Sequence, residues 1–474
     1  MYICHIILKG EILVSEHLNS LKKFTKELVP ESIETLKDYL RLPTISAQNK
    51  AIPETVQFVV HMIHEAGGEV EVLDDLGGNP VVYAFFAAGE QGDAEKTLLF
   101  YNHYDVQPPE PFDEWNTEPF DPTIVDGTLF ARGVADNKGD LVARLTAIKV
   151  LQQVEGGLPC NIKFLLEGEE EIGSPNLAPY LEKYKDLFKA DACIWEFGGK
   201  DEKDRISMVA GIKGMAYMEL SCVGADIDMH SSVGAYVDNA AWRLVQALAA
   251  MRTQDNDILV EGFFDGILEL TESEEEAVKE LPFNEEAVAE LYGLKRPLIT
   301  TAQGVDPRVA MVAKPTMTIC GIESGYTGEG AKTVLPKSAK VKLDCRLVPG
   351  QDPDHIFECI QNHLQKHGFE DIKVTLLNGQ KAYRSDFSHP FVAHVTETAR
   401  EVYEKDSVLA PNSAGTGPMY IFGEQLDLPI VSTGVGWVGA KAHAPNESIR
   451  LKDFEQGIVH MAHMLSGFPM ALNK

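Results

Sequence analysis

The sequence lacks long apolar runs, an excess of basic residues and paired cysteine motifs. Although 44% of its 474 residues are hydrophobic, no stretch is long and apolar enough to predict a membrane-spanning helix. There are 42 basic against 72 acidic residues, and the formal net charge is −30. Such a charge repels phosphate backbones and anionic lipid surfaces. We therefore expect a soluble globular protein that has neither nucleic acid nor a membrane as its partner.

Cysteine is also scarce, and its spacing argues against two kinds of site. The chain has 7 cysteines, and no two of them form a C-x-x-C pair. Their positions are Cys4, Cys160, Cys193, Cys222, Cys320, Cys345 and Cys359. Wide, unpaired spacing is typical of reduced thiols in the cytoplasm rather than of a disulfide framework or a thiolate zinc site. We therefore predict a cytoplasmic protein.

The amino-terminal segment has neither a basic leader nor a small-residue cleavage site, so it does not resemble a signal peptide. We expect residues 1–20 to form a flexible tail. Residues 9–11 can be encoded by a purine-rich ribosome-binding sequence, and Val14 by a GTG start codon. A native start at Val14 is therefore a hypothesis, and an intact Met1 in the native protein would refute it.

The chain is longer than a single hydrophobic core usually supports, so we expect two domains. Strand and helix patterns alternate through the first part of the chain, which is typical of an α/β layer with a largely parallel sheet. The pattern changes to α+β at about Gly211 and returns to α/β after about Ala382. We predict an α/β domain of residues 1–210 and 383–474, interrupted by an inserted α+β domain at residues 211–382. Within the insertion, the acidic residues 271–293 are expected to form a solvated helical hairpin.

Residues that can carry chemistry lie at the ends of predicted strands. His103 and Asp105 follow the apolar run Thr97–Phe100, at the carboxyl end of a buried strand, where α/β proteins bind ligands. An imidazole can bind a metal through one nitrogen while a carboxylate holds the other nitrogen and fixes the tautomer. A strand-end H-x-D is, however, also common as a hydrogen-bonded loop anchor.

Carboxylates recur farther along the chain. Asp136 precedes a predicted helix, where it can be an ordinary N-cap or a carboxylate that bridges two cations about 4 Å apart. Another apolar run ends in a cluster of acids, Glu167, Glu169, Glu170 and Glu171. Clustered carboxylates repel one another unless a cation neutralises them, although a solvated acidic loop can have the same sequence. The apolar residues before the cluster favour a partly buried site.

Two further residues complete the set. Glu196 follows another buried strand, and His443 lies in a Gly/Ala-rich loop. Each is weak evidence alone, since the chain has 14 histidines and most are expected to lie on the surface or in the core. The inference comes from the set, because His103, Asp136, the acidic cluster, Glu196 and His443 nearly all fall at strand ends of one predicted sheet. We therefore expect them to converge on a metal centre.

An ordered series of strings resembles the carnosinase and aminoacylase-type dinuclear metallopeptidases: NHYDVQP, EWNTEPFDP, LFARGVADNKG, EGEEEIGS, DMHSS, LDCRLVPG and KAHAPNE. The resemblance runs from about Ile33 to Leu465, and the WNTEPF and RLVPG elements are similar to the cytosolic nonspecific dipeptidase and carnosinase branch. It implies a mostly parallel-sheet α/β catalytic domain with an inserted α+β lid or dimerisation domain. It also implies hydrolysis of an amide bond in dipeptides or short peptides.

The resemblance implies a role for each matching residue at the metal centre. Asp136 bridges two divalent cations, and the remaining ligands are His103, Glu171, Glu196 and His443. Glu170 is the general base that takes a proton from the bridging water, and Asp105 orients His103. Two cations together lower the pKa of a shared water enough to form hydroxide at neutral pH. The oxygen and imidazole donors suit Zn²⁺ best by this resemblance, and they also suit Mn²⁺ or Co²⁺.

The resemblance also implies substrate contacts. His230 would reach the oxyanion that develops on the carbonyl, often from the partner subunit of a homodimer, although an exposed turn histidine is the simpler interpretation. Arg346, Thr416 and Gly417 would bind the free carboxylate of the substrate, because a planar guanidinium can make two parallel hydrogen bonds. Arg346 can equally be a strand residue in a surface ion pair.

One departure from the pattern keeps the substrate class open. Glu196 stands where the carnosinase-like branch typically has Asp, and Glu occurs in that role in aminoacylase-like relatives. The alternative function is therefore an N-acyl amino acid deacylase that removes acetyl or succinyl groups. A second alternative is a non-catalytic metal-binding scaffold, which the presence of Glu170 and of every ligand position argues against.

Overall fold

The computed structural model of the protein describes residues 2–473, with side chains from Ser15 onward except that of Ala302. The helices are α1 (Tyr2–Leu40), α2 (Ile52–Glu65), α3 (Gly139–Glu155), α4 (Leu177–Lys183), α5 (Lys185–Phe188), α6 (Ala240–Met251), α7 (Glu272–Glu280), α8 (Glu285–Leu291), α9 (Ile299–Gln303), α10 (Pro307–Ala313), α11 (Pro353–Lys366), α12 (Pro390–Tyr403), α13 (Met419–Leu426) and α14 (Leu451–Ala471). The strands are β1 (Glu69–Leu73), β2 (Val81–Phe86), β3 (Asp93–His103), β4 (Thr123–Val125), β5 (Thr128–Phe130), β6 (Cys160–Glu167), β7 (Ala192–Trp195), β8 (Gly199–Lys200), β9 (Ile206–Val209), β10 (Gly211–Ile212), β11 (Gly214–Val223), β12 (Met229–His230), β13 (Thr318–Ser324), β14 (Val334–Leu335), β15 (Ser338–Leu347), β16 (Lys373–Gln380), β17 (Tyr383–Arg384), β18 (Val408–Ala410), β19 (Ile430–Ser432), β20 (Gly436–Trp437) and β21 (Ser448–Arg450).

The chain forms two compact units. Unit 1 comprises Met1–Ala210, Ser385–Ala410 and Ile421–Lys474, and unit 2 comprises Gly211–Arg384 and Pro411–Tyr420. The predicted second boundary at residues 382 and 383 therefore lies two residues too early, and the prediction missed the return of Pro411–Tyr420 to unit 2. That segment joins unit 2 because the Ser413 amide donates to the carbonyl of Gly211 at 2.8 Å.

Unit 1 is built on a sheet with the strand order β1-β2-β6-β3-β7-β19. The pairs β6/β3, β3/β7 and β7/β19 are parallel, whereas β2 is antiparallel to both β1 and β6. Every strand except β2 thus runs in the same direction. Leu98 and Phe100 of β3 and Phe164 of β6 are fully buried and share one core with apolar residues of α1, α3 and α14. Helix α3 ends at Glu155 and is followed by Gly156, whose φ of +74° suits a residue without a Cβ.

The structure corrects the prediction that residues 1–20 form a flexible tail. The structure has one helix from Tyr2 to Leu40, so residues 15–20 are helical, while Met1 lies outside the described residues. Leu18 packs against the core of unit 1, and Leu21 is fully buried in it. Helix α1 packs against α3 and α14, and this tertiary burial stabilises a segment whose local sequence gives little sign of order.

Unit 2 contains an antiparallel sheet with the strand order β13-β15-β11-β16. Along β11, buried and half-exposed residues alternate, which is the period of a strand that faces a core on one side. Its buried residues Ala216, Met218 and Leu220 pack in a core with Leu244 of α6 and Ile360 of α11. Unit 2 is therefore a separate α+β layer with its own core.

The acidic segment forms two helices, α7 and α8, whose side chains are mostly exposed. Glu274 is an exception, because it is buried, forms a capping box with Thr271 and pairs with Arg384 at 3.1 Å. Across residues 2–473, none of the helices is both long and apolar enough to cross a membrane.

Candidate metal centre

Three parallel strands bring the predicted residues to one edge of the unit 1 sheet. His103 is the last residue of β3 and lies beside Glu167, the last residue of β6. Glu196 directly follows β7, and the short helical turn Glu170–Ile172 follows β6. Because parallel strands end at the same edge, these side chains share one location.

Asp136 lies between two imidazoles. Its Oδ1 atom is 3.0 Å from Nε2 of His103, and its Oδ2 atom is 3.0 Å from Nε2 of His443. Lys138, not Asp136, directly precedes α3 and no side chain caps that helix, so Asp136 is not the ordinary N-cap that the sequence also allowed. Each carboxylate oxygen therefore faces a different imidazole nitrogen.

Each imidazole has a second carboxylate of its own. Nε2 of His103 lies 3.4 Å from Oε2 of Glu196, and Nε2 of His443 lies 3.0 Å from Oε2 of Glu171. One donor atom from each of His103, Asp136 and Glu171 also falls within 4.8 Å of the others. The five predicted ligands thus form two groups of three donors that share Asp136.

The centre is largely buried, and its charges perturb one another. Burial alone would lower the pKa of His103, but Glu196, Asp105 and Asp136 outweigh it and raise that pKa well above its ordinary value. Hydrogen bonds to Asp136 and Glu171 raise the pKa of His443 to about 10. Burial, with the neighbouring carboxylate of Glu170, raises the pKa of Glu196 well above its usual range. The negative charges of the carboxylates therefore favour positive charge at the centre, on the imidazoles or on a bound cation.

The donor set fits two divalent cations. Imidazole nitrogens and carboxylate oxygens are ligands of Zn²⁺, Mn²⁺ and Co²⁺. A carboxylate that binds two cations must offer one oxygen to each, and Asp136 has one oxygen in each group of donors. The Nδ1 atom of His103 lies 3.0 Å from the backbone carbonyl of Asp105. Because a carbonyl only accepts, Nδ1 of the neutral ring carries the proton and Nε2 is left with a lone pair that faces Asp136 and Glu196.

The acidic cluster divides between two tasks. Glu167 accepts hydrogen bonds from Tyr101 at 2.6 Å and from Ser174 at 2.9 Å. Glu169 accepts from the Asn79 amide at 3.0 Å. These two acids stabilise the loops around the sheet edge, whereas Glu170 and Glu171 belong to the centre.

Glu170 is half-exposed and begins the turn Glu170–Ile172, which follows β6. Burial of its carboxyl group raises its pKa to about 8; the positive charge of His103 opposes this rise, and the carboxylates of Asp136 and Glu171 add to it. The charge of Glu170 thus depends on the charges of the neighbouring His103, Asp136 and Glu171.

Several residues that sequence reasoning missed hold the ligands in place. Gln107 donates its side-chain amide to Oε2 of Glu171 at 2.9 Å, and the Glu171 amide donates to Asp105 at 3.1 Å. Asn137 donates to Oε2 of Glu196 at 3.1 Å. Gln107 and Asn137 lie within the strings NHYDVQP and LFARGVADNKG, so their position beside ligand residues was the available signal.

The predicted substrate contacts all lie in unit 2. The exposed His230 accepts a hydrogen bond on Nδ1 from the Ser232 amide at 3.2 Å, so the neutral ring carries its proton on Nε2. Arg346 donates from Nη1 to the Thr416 hydroxyl at 2.8 Å and from Nε to Asp344 at 3.0 Å. Arg346, Thr416 and Gly417 are each half-exposed.

The donors of the centre are typical of a metal-dependent hydrolase, and the comparison with known sequences identifies its family. The profile of Peptidase family M20/M25/M40 matches residues 99–467, and the chain belongs to this family. The resemblance seen in the sequence is thereby confirmed, as is the predicted fold class.

Individual relatives cover nearly the whole chain. A solved M20 family metallo-carboxypeptidase, Sso-CP2 from Sulfolobus solfataricus, is 39% identical, with a TM-score of 0.84 over 93% of this chain and 99% of that chain. The Cys-Gly metallodipeptidase dug1 of Schizosaccharomyces pombe is 27% identical over 93% of this chain and 96% of its own length. The crystal structure of human carnosine dipeptidase 1 is 24% identical, with a TM-score of 0.74 over 96% of this chain and 99% of that chain, and it shares the fold.

Proposed function

We propose that the protein hydrolyses the amide bond of dipeptides or short peptides that end in a free carboxylate, with two divalent cations at the centre in unit 1. The observation that carries this proposal is Asp136, which offers one oxygen to each of two imidazole–carboxylate pairs. The names of the relatives, a metallo-carboxypeptidase and a Cys-Gly metallodipeptidase, support peptides as the substrate class.

We propose Zn²⁺ as the cation, held on one side by His103 and Glu196, on the other by His443 and Glu171, and on both sides by Asp136. Bound cations supply a lowered pKa for water and a Lewis acid for the scissile carbonyl. Fixed partners orient the ligands, because Gln107 and Asn137 hold the carboxylates of Glu171 and Glu196.

Glu170 is the proposed general base. Its carboxylate takes a proton from the attacking water and later gives it to the leaving amine nitrogen. A pKa raised to about 8 applies to the protein without cations, and positive charge nearby lowers it toward the neutral range where one group can both accept and donate. Asp105 is proposed to orient His103.

Residues of unit 2 are proposed to bind the substrate. The side chain of Arg346 is half-exposed, and hydrogen bonds to Asp344 and Thr416 fix its orientation. An oriented guanidinium that is partly exposed is suited to binding a carboxylate through its planar fork. Gly417 follows Thr416 in the same loop. The Nε2–H of His230 is available to donate to an oxygen that gains negative charge, because its Nδ1 is already used by Ser232.

We also propose a homodimer formed through unit 2. Strand β13 is an edge strand of the sheet, and nearly all of its residues are exposed. Ile319 is 49% exposed and Ile322 58% exposed, and an exposed edge with apolar side chains is suited to pairing with another copy. Ile322→Glu is therefore expected to shift the sedimentation coefficient from dimer to monomer. An active wild-type protein that sediments only as a monomer at micromolar concentration would contradict the dimer.

A cytoplasmic location is proposed from the cysteines. Cys160, Cys193 and Cys345 are buried free thiols, and burial raises the pKa of each. Buried thiols of this kind are unreactive, and free thiols without disulfides are typical of proteins in a reducing compartment. Cell fractionation tests this proposal, and recovery of the protein outside the cytoplasm would contradict it.

A substrate panel tests the main proposal. Purified protein is loaded with Zn²⁺ and supplied with dipeptides, tripeptides and N-acetyl or N-succinyl amino acids. We expect turnover of peptides with a free carboxylate and loss of turnover after chelation. Activity confined to the N-acyl amino acids would favour the deacylase, and no turnover of any amide by the metal-loaded protein would favour a scaffold.

A further inference from the structure

Glu447 lies beside the centre without being one of its ligands. Its Oε1 atom accepts hydrogen bonds from the amides of Ala135 at 2.8 Å and Asp136 at 3.1 Å. Its Oε2 atom accepts from the Gly133 amide at 2.9 Å and from Nη1 of Arg132 at 2.7 Å. The two side chains of the Arg132–Glu447 pair are each 1% exposed. One buried carboxylate therefore holds the main chain of the loop that presents Asp136.

The same residue ends the loop that carries His443. Glu447 directly precedes β21, which pairs with β5 in a small three-stranded sheet of the order β21-β5-β4. Arg132 also donates to the carbonyl of Ala444 at 3.4 Å. The contacts around Glu447 thus join the loop of one imidazole ligand to the loop of the shared carboxylate.

The His443 loop is held by backbone hydrogen bonds within it and by side-chain contacts at its end. The Ala444 amide donates to the Lys441 carbonyl at 3.0 Å, and the Ser448 amide donates to the Ala440 carbonyl at 2.8 Å. His443 is 53% exposed at its side chain and adopts a φ of +62°, and Asn446 adopts +65°. Non-glycine residues in this region persist only where the surroundings fix them. Side-chain contacts fix the end of the loop, where Asn446 accepts from the Asn116 amide at 2.7 Å and Glu447 makes the contacts described above.

We propose that Glu447 is a positioning residue that holds Asp136 and His443 at the spacing needed for the cation between His443 and Glu171. This inference rests on the proposed two-cation function. It predicts an asymmetric effect, because the His103 side is anchored by the buried strand β3 and does not depend on the His443 loop. Loss of the Glu447 contacts should weaken one cation more than the other.

The test is cation binding by purified Glu447→Gln, followed as Zn²⁺ per chain during titration against a competing chelator. Gln replaces one acceptor oxygen with a donor that faces N–H groups and leaves Arg132 without a charged partner. Outer partners of metal ligands typically contribute about 10–100-fold to affinity. We expect such a loss for one of the two equivalents and a smaller change for the other, with partial recovery in Glu447→Asp.

A matched control separates positioning from general loss of stability. Glu274→Gln removes a similarly buried carboxylate that pairs with Arg384 in unit 2, where no proposed cation ligand lies. It should keep both equivalents at wild-type affinity. The proposal would be overturned if Glu447→Gln bound both equivalents of Zn²⁺ with wild-type affinity. It would also be overturned if Glu447→Gln and Glu274→Gln lost Zn²⁺ affinity equally.

A measurement on the wild type covers the case in which Glu447→Gln does not fold. Hydrogen exchange at the Ala135 and Asp136 amides should be slow in the protein without cations and little changed when Zn²⁺ is added. Fast exchange without cations, slowed only by Zn²⁺, would show that the cations and not Glu447 order this loop. A wild type that binds two cations but cleaves no peptide would refute the proposed function and leave the positioning role standing.

Discussion

Gln107 donates its side-chain amide to Oε2 of Glu171 at 2.9 Å, and the same oxygen lies 3.0 Å from Nε2 of His443. The backbone amide of Gln107 also donates to Oε1 of Glu171 at 3.2 Å. One residue thus occupies both carboxylate oxygens and fixes their direction. A carboxylate held in this way is ready to accept a cation without reorganising, which favours binding.

Replacing the proposed base should separate cation binding from turnover. Glu170→Gln keeps the size of the side chain but cannot accept the proton, so we expect full cation content with a loss of about 10²–10⁴-fold in kcat. Glu169→Gln is the matched control, because Glu169 bonds Asn79 and Asn176 rather than the centre, and it should keep most of the turnover. A Glu170→Gln enzyme that turns over like the wild type would remove Glu170 from this role.

Removing the guanidinium should matter only for substrates with a free carboxylate. A hydrogen bond to a charged group contributes about 1.5–3 kcal/mol, so Arg346→Ala should lower kcat/KM on a dipeptide by about 10–150-fold. Arg346→Ala should have little effect on kcat/KM for the amidated dipeptide, because that substrate already lacks the carboxylate that Arg346 is proposed to bind. Arg308→Ala, which removes another arginine of unit 2, is the control. Equal losses by Arg346→Ala on the free and amidated substrates would contradict the assignment.

Cation binding should release protons. The pKa of His443 is raised to about 10 and that of His103 well above its ordinary value, so both rings carry an extra proton at pH 7 in the protein without cations. A cation must displace these protons, and its affinity should rise as the pH rises from 6 to 8. Calorimetry in two buffers of different ionisation enthalpy measures the release. Affinity and heat that do not vary with pH or buffer would contradict these pKa directions.

The packing of α1 predicts a loss of stability in a variant far from the centre. Leu21 is fully buried, and truncation of such a side chain leaves a cavity. We expect Leu21→Ala to lower the free energy of unfolding by about 2–5 kcal/mol. Leu291→Ala, at a position 74% exposed, should change it by less than about 0.5 kcal/mol. Chemical denaturation measures both, and equal stability of the two variants would contradict the packing of α1.

The elements that position the centre could be predicted because their signals are local. In the sequence, apolar runs stop shortly before His103, Glu167 and Glu196, and in the structure β3, β6 and β7 end at His103, Glu167 and Trp195. A strand end and a polar residue after it are both visible within a few positions. The prediction that the residues converge follows from parallel strands, which end at one edge.

The supporting residues could not be predicted in the same way. Glu447, Gln107 and Asn137 resemble ordinary polar loop residues in the sequence, and their roles depend on contacts with distant parts of the chain, such as Glu447 with Ala135. The helical state of residues 15–20 likewise depends on packing of α1 against α3 and α14. Tertiary contacts decided these features, and a local pattern does not contain them.

Anomalous X-ray diffraction from crystals of the metal-loaded protein tests the two-cation centre most directly. Two peaks per chain are expected beside the Asp136 carboxylate, one contacted by His103 and Glu196 and the other by His443 and Glu171. A single peak, or cations bound at other residues, would contradict the account.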